Sequence, residues 1–194
     1  MFGRVKINAR RVVIGKNVKF EKNVVIKGFK QTILEYLEIG DNCHFFNDVE
    51  IHVTPRCIIG ANNVFHNCVH IVGSNTAQIG DNNWVGERSF LDSTGKLTID
   101  SGCVIGLNCQ IWSHAIRPSS TYSPRKPPLI NIHNVHPTRI KDNAWLQGGN
   151  IQVAPGVTIA EDTLVLANAV VSKNTVAGKI YGGIPAKEII RAKK

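Results

Sequence analysis

The feature that most constrains this chain is a short motif that keeps returning. Ile39-Gly40-Asp41-Asn42, Ile59-Gly60-Ala61-Asn62, Ile79-Gly80-Asp81-Asn82 and Ile99-Asp100-Ser101-Gly102 open four segments whose leading Ile is spaced every 20 residues. An earlier copy starts at Ile14-Gly15-Lys16-Asn17, and later ones start at Ile140-Lys141-Asp142-Asn143 and Ile159-Ala160-Glu161-Asp162. Repetition at a fixed period marks a repeat architecture, in which each unit buries its apolar face only against its neighbours.

A finer period of six runs inside each copy: Ile79, Val85, Leu91; Ile99, Ile105, Ile111; and Val153, Ile159, Val165, Val171. Smaller residues sit four places after the leads, among them Asn83, Ser89, Cys103, Cys109, Val157, Thr163 and Ala169. Three such hexads make one triangular turn, each hexad contributing a short flat strand and a corner. The aliphatic lead and the small residue point into the prism, and Gly, Asn and Asp hold the tight corners. Eighteen of the 20 residues are thereby used, which leaves two for a corner bulge in each turn. A β-sandwich also has frequent turn signals, but it gives no reason for the same Ile-Gly lead to recur in phase.

The ladder breaks between Ile111 and Ile140. Residues 112–138 read as one long inserted loop, because Pro118, Pro124, Pro127, Pro128 and Pro137 exclude regular strand pairing. Long loops in compact proteins tend to be functional. After Val171 the ladder stops, and the tail 178–194 reads as a turn followed by a short helix around Lys187–Ala192. The expected organisation is a single domain over residues 1–194.

Composition narrows the setting. Hydrophobic residues make up 43% and charged residues 19%, as in an ordinary globular protein. No apolar run reaches the roughly 18 residues of a membrane span, and Met1-Phe2-Gly3-Arg4-Val5-Lys6 leads into no signal core. A cytoplasmic setting with no membrane span is therefore expected. Cys43, Cys57, Cys68, Cys103 and Cys109 form no CxxC pair and read as free thiols. The net charge of +9, with a basic tail of Lys187, Arg191, Lys193 and Lys194, suits a polyanionic partner. Aromatic residues are not interleaved with the basic ones, so nucleic acid is not expected, and a phosphate-rich cofactor fits the charge.

The hexads, the single long loop with a His at its start, and the closing Tyr181-Gly182-Gly183-Ile184-Pro185-Ala186-Lys187-Glu188-Ile189-Ile190 together resemble the hexapeptide-repeat acyltransferases. The similarity covers about Ile39 to the C-terminus and is greatest to the maltose, galactoside, xenobiotic and capsular-sugar O-acetyltransferase branch. It implies an all-β fold, a left-handed parallel β-helix of hexapeptide repeats, assembled as a homotrimer with active sites between neighbouring prisms. It also implies acetyl-CoA as acyl donor, a small-molecule or glycan acceptor, and no metal.

The resemblance places the general base at His114, directly after Ile111-Trp112-Ser113. The chemistry independently suits a histidine, whose ordinary pKa near 6.5 leaves a neutral form able to take a proton at cell pH. His133 and His136, where the loop returns, are the competitors; His44, His52, His66 and His70 read as outward-facing residues on the coils. Trp145 matches a tryptophan that walls the family's site, at an outward hexad position, and is a candidate for both acceptor and cofactor contact. Asp92 aligns with an acidic acceptor-binding residue, although an Asp at a corner also serves turns. Val85-Gly86-Glu87-Arg88-Ser89 departs from the Asn-rich coil of the galactoside enzymes, so Glu87 and Arg88 are candidates for a different, charged acceptor. Ala167, Ser172 and Lys173 lie where the resemblance puts the pantetheine arm and the nucleotide end of CoA. Gly148 and Gly149 follow Trp145 where a thioester needs close backbone approach, and Lys187 and Arg191 are suitable partners for the CoA phosphates.

Other readings stay open at this level. They are an N- or O-acetyltransferase of xenobiotics or amino sugars, a γ-carbonic-anhydrase-like zinc prism, and a non-catalytic prism. The zinc reading lacks its ligands: His66 and His70 are four apart with no matching pair near His114.

Overall fold

The computed structural model describes residues 4–116 and 133–190. Within them the chain winds into a parallel β-helix of three sheets with eight, seven and nine strands. One turn runs from Phe90–Asp92 on the first face to Leu97–Ile99 on the second and Val104–Leu107 on the third. It then returns at Gln110–Ile111, where Phe90 pairs with Gln110 and Leu91 with Ile111, 20 residues on. No α-helix occurs among the described residues, and none is long and apolar enough to cross a membrane.

The periodicity translates directly into packing. The leads Ile39, Ile59, Ile79, Ile99, Ile140 and Ile159 are buried in one interior row, with Phe45, Phe65, Val85, Ile105, Leu146 and Val165 in another. Phe45 and Phe65 stack with ring centroids 4.9 Å apart at 8°. The small interior positions are filled by Cys43, Asn63, Asn83 and Cys103. Asn63 and Asn83 pass hydrogen bonds along the axis: Asn83 N donates to Asn63 Oδ1 at 2.9 Å and Cys103 N to Asn83 Oδ1 at 2.7 Å. At the corner between the second and third faces, Asn42, Asn62, Asn82 and Asn143 all adopt φ between 55° and 58°. Asparagine tolerates this left-handed conformation better than most residues.

The five cysteines are all free thiols, four of them buried. Burial pushes the Cys57 and Cys103 thiols up to about 12, so neither supplies a thiolate nucleophile near neutral pH. Truncating the interior stack, as in Phe65→Ala, is expected to cost about 3–5 kcal/mol. Urea unfolding measures this, and a loss below about 1 kcal/mol would mean that the prism repacks around the gap.

The repeat length is not uniform. Val153 to Val171 is 18 residues, three plain hexads, whereas the 20-residue turns carry two extra residues at the corner between the first and second faces, as between Leu91 and Ile99. At that corner the insertion also departs. His114–Ile116 and His133–Val135 pair antiparallel as the base of a hairpin, with His114 opposite Val135. The remainder of the expected loop, residues 117–132, lies outside the described residues, as do Arg191, Lys193 and Lys194.

The expected C-terminal helix is not present over the described part of the tail. Ile180–Gly182 adds a further parallel strand to the third sheet, and Lys187–Glu188 folds back on it antiparallel. Gly183, at φ 92°, sits in the reversal, and Ile189 N donates to Ile180 O at 2.7 Å. A helix of about one turn is a costly nucleus in water. The open end of the sheet offers the same backbone groups ready partners, so pairing wins over local helix preference.

Candidate active site

The ladder-to-loop junction brings His114 and Asp92 together. Asp92 ends a first-face strand one turn below Trp112, so the 20-residue offset places it beneath the start of the insertion. Its side chain is 2% exposed and that of His114 is 23% exposed. Asp92 Oδ2 lies 2.7 Å from His114 Nδ1 and accepts from Ser113 N at 2.7 Å and Ser113 Oγ at 2.8 Å. Oδ1 accepts from Thr94 N at 3.0 Å.

The corner bulge supplies part of this cage. Thr94 and Gly95 belong to the longer corner absent from an 18-residue turn, and Gly95 N donates to Ser113 Oγ at 2.8 Å. A Cβ on Gly95 would collide with the backbone of Ser113 and His136, so glycine permits the close approach. His136 N in turn donates to Ser113 O at 2.8 Å, which ties the returning strand to the same residue.

Burial pushes the Asp92 carboxyl pKa up, but hydrogen bonds from Thr94, His114 and Ser113 outweigh it and hold the group below its ordinary value of 3.8. An ionised carboxylate only accepts hydrogen bonds, so Nδ1 of the facing imidazole carries the proton and the lone pair of the neutral ring resides on Nε2. A folded-state pKa below the unfolded one means that the stabilisation is present above the unfolded value and is lost as pH falls through the folded one. The protein is therefore expected to lose thermal stability more steeply below about pH 4 than its Asp92→Asn variant. Melting temperatures between neutral pH and pH 2 test this, and parallel curves would refute it.

Two aromatic side chains that sequence reasoning did not single out extend the site. Trp112 meets His114 edge-on, with centroids 6.2 Å apart at 74°, and Phe90 packs on Trp112 at 5.2 Å. Phe90 and Trp112 stand on the outer surface of the first face, next to His114 at its corner.

The other expected site residues fall into separate groups. Trp145 projects from the third face, 50% exposed, beside Gly148; with Trp84, Val104, Gly106, Leu107 and Gln147 they line a shallow pocket of about 270 Å³. Gly149 ends the same strand. Gly148, at φ 85°, comes so near Ala167 that a Cβ would stand 2.9 Å from the Ala167 Cβ. Lys187 is exposed on that face's terminal strand. Glu87 and Arg88 occupy the corner between the third and first faces, where Glu87 accepts from Asn67 Nδ2 at 2.9 Å and Arg88 is exposed. Ser172 and Lys173 are exposed after the first-face strand Val170–Val171, above the His114 corner. Within one chain, His114 and Asp92 thus sit at one corner while Trp145, Gly148 and Lys187 lie on the opposite face.

No family model matches the chain. A Schizosaccharomyces pombe protein named as an acetyltransferase is 43% identical over 52% of this chain and 45% of its own length. An Escherichia coli protein named as a colanic acid biosynthesis acetyltransferase is 31% identical over 66% of this chain and 65% of its own. Dynactin subunit 6 of Danio rerio is 31% identical over 61% of this chain and 52% of its own. The chain therefore spans between 45% and 65% of the length of these relatives. Among solved structures, the polySia specific acetyltransferase NeuO superposes with a TM-score of 0.68 at 18% identity, over 100% of this chain and 89% of that one. A variant of AntD, an N-acyltransferase from Bacillus cereus in complex with dTDP and coenzyme A, gives 0.60 at 17% identity, over 94% and 84%. The fold is thus that of solved acyltransferases.

Proposed function

We propose that the protein is an acetyl-CoA-dependent acyltransferase of the hexapeptide-repeat family that acetylates a sugar or glycan hydroxyl, with His114 as general base. The observation that carries this reading is the buried Asp92 held against His114 Nδ1 at 2.7 Å, because a histidine aligned by a carboxylate is prepared to take a proton at Nε2. Similarity to proteins named as acetyltransferases supports the reaction class. The left-handed sense of winding and the single domain over 1–194 belong to the same reading.

Acetyl-CoA supplies the activated thioester. His114 takes the proton of the acceptor hydroxyl as its oxygen attacks the acetyl carbon, and returns that proton to the departing thiol. Asp92 keeps the imidazole in the required tautomer and stabilises it while it is charged, rather than binding the acceptor. Gly148 and Ala167 suit a slim pantetheine arm, because no side chain larger than a methyl stands there. Trp145 walls the groove, with Gly149 and Ser172 beside the arm, and Lys173, Lys187 and Arg191 serve the phosphates. Glu87 and Arg88 face the acceptor side.

A homotrimer reconciles these roles with their separation, since a neighbour's third face then meets the His114 corner. That face favours burial: Val64, Trp84, Val104, Trp145, Leu164 and Ile180 follow one another outward in register. Parallel strands such as those that carry this row are normally covered on both sides, and an apolar row of this length marks an interaction surface.

The test is thiol release from acetyl-CoA against a panel of oligosaccharides, nucleotide sugars and amino sugars, with the product identified by a mass gain of one acetyl group and the oligomer sized by light scattering. A monomer, or no transfer to any sugar, would refute this reading. A second reading, a non-catalytic prism that serves as part of an assembly, takes its support from the relative named as a dynactin subunit. Such a scaffold has no use for the aligned His114, and absence of any acetyl-CoA binding would select it.

A further inference from the structure

A second polar cluster lies on the same face as the His114–Asp92 pair, nearer the N-terminal end. Lys6, Asn8, Lys27, Glu50 and His52 line a cleft of about 350 Å³ whose floor is Val25 and Ile26. His70 flanks it, pairing with Glu50 in the ladder. Both lysines are exposed, whereas His52 is half-buried.

Two observations distinguish this cluster from an ordinary solvated face. His52 Nε2 is shut off from solvent and makes no hydrogen bond among the described residues. A buried imidazole nitrogen without a partner is costly unless something else satisfies it. The charges are also unbalanced. Glu50 Oε2 stands 3.7 Å from both His52 Nε2 and His70 Nδ1, too far for a hydrogen bond, and is the single carboxylate in the lining, facing two lysines. Burial first, and then Lys27, push the His52 pKa below its ordinary value, outweighing the upward pull of Glu50. The two lysines of the lining outnumber its one carboxylate, and the cleft is net basic.

Its place in the ladder connects it with the acyl-transfer site. Lys27 pairs with His52, His52 with Val72, and Val72 with Asp92. Two strand spacings of about 4.8 Å put the His52 position roughly 10 Å from that of Asp92. One extended molecule lying along the face reaches both.

We propose that this cleft binds an anionic group, a carboxylate or a phosphate, carried by an acidic acceptor that extends from His114 along the first face. The lysines supply charge, the Asn8 amide supplies a hydrogen bond, the half-buried His52 ring forms the inner wall, and Val72 forms an apolar step between the two subsites. As a statement about the acceptor it rests on the acyl-transfer reading; as a statement about anion binding it stands alone.

Calorimetry without any acyl donor keeps the two separable. The probes are a hexuronate oligosaccharide, inorganic phosphate and a neutral maltooligosaccharide, measured on the full chain and on the Lys6→Gln/Lys27→Gln double variant, whose changes are at exposed positions. The expected result is binding of an anionic probe in preference to the neutral one, weakened roughly tenfold or more in the double variant and weakened by salt. Uronate bound in preference to phosphate identifies an acidic sugar, and the converse identifies a phosphorylated carrier. Equal binding of the neutral probe, an unchanged affinity in the double variant, or full displacement of the anion by coenzyme A would overturn the proposal. Anion binding that responds to the double variant in a protein without acetyl transfer would retain the cleft and remove the acyl-transfer reading instead.

Discussion

Replacing His114 with alanine is expected to lower acetyl transfer by about 10²–10⁴-fold, the usual contribution of a positioned general base, with little change in the KM for acetyl-CoA. In the proposed mechanism the loss falls on kcat, because the imidazole acts on the acceptor proton as charge develops and not on the bound thioester. His114 stands at the mouth of the insertion with its side chain 23% exposed, so its removal leaves the interior rows intact, and the melting temperature falls only by the share of the Asp92 cage that His114 supplies. Steady-state kinetics on the acceptor found in the panel decide the matter. Transfer that survives at more than about a tenth of the parent rate would take the base role from His114 and direct attention to His136, whose backbone reaches the same corner.

Asp92→Asn is expected to be nearly as damaging, with a loss on the order of 10²–10⁴-fold in kcat. A carboxylate behind a catalytic histidine has an effect of that size because it sets the tautomer. An amide NH₂ turned toward His114 Nδ1 draws the lone pair to that nitrogen and moves the proton to Nε2, where a base needs none. An amide oxygen in the same place preserves the tautomer but withdraws the charge that stabilises the imidazolium. A purely structural aspartate predicts something different: a lowered melting temperature with kcat unchanged once the protein is folded. The pH profile separates the two further, since a positioning role requires that the acid limb of kcat/KM move in the variant.

Much of the site could have been read from register. With a 20-residue turn, Asp92 must lie beneath Trp112, next to the turn that carries Ser113 and His114. The repeat alone therefore contained the Asp92–His114 proximity, which reasoning by resemblance passed over in favour of acceptor binding. Ser113 and Thr94 were hidden for another reason. Their contribution depends on hydroxyl and backbone directions within a bulged corner, and nothing in the hexad pattern sets those. The hairpin base at the insertion was obscured by the many prolines beyond it, and the tail by the helix-friendly composition of Ala186–Ile190. That composition is overruled when an unpaired sheet edge stands next to it, because edge pairing satisfies backbone groups that a one-turn helix leaves open.

The Ile-Gly ladder by itself determined the parallel β-helix, its three faces and the identity of its interior rows. Those follow from a period of six and from corner residues that accept left-handed backbone, both local properties of the chain. The tertiary structure alone decided how the two extra residues of each turn fold at their corner, and with it the cage of four hydrogen bonds around Asp92. It alone also separated Trp145 from His114 by the thickness of the prism. Both depend on contacts between turns, where groups about 20 residues apart meet through strand register and side-chain direction, and a one-dimensional repeat sets the first without setting the second.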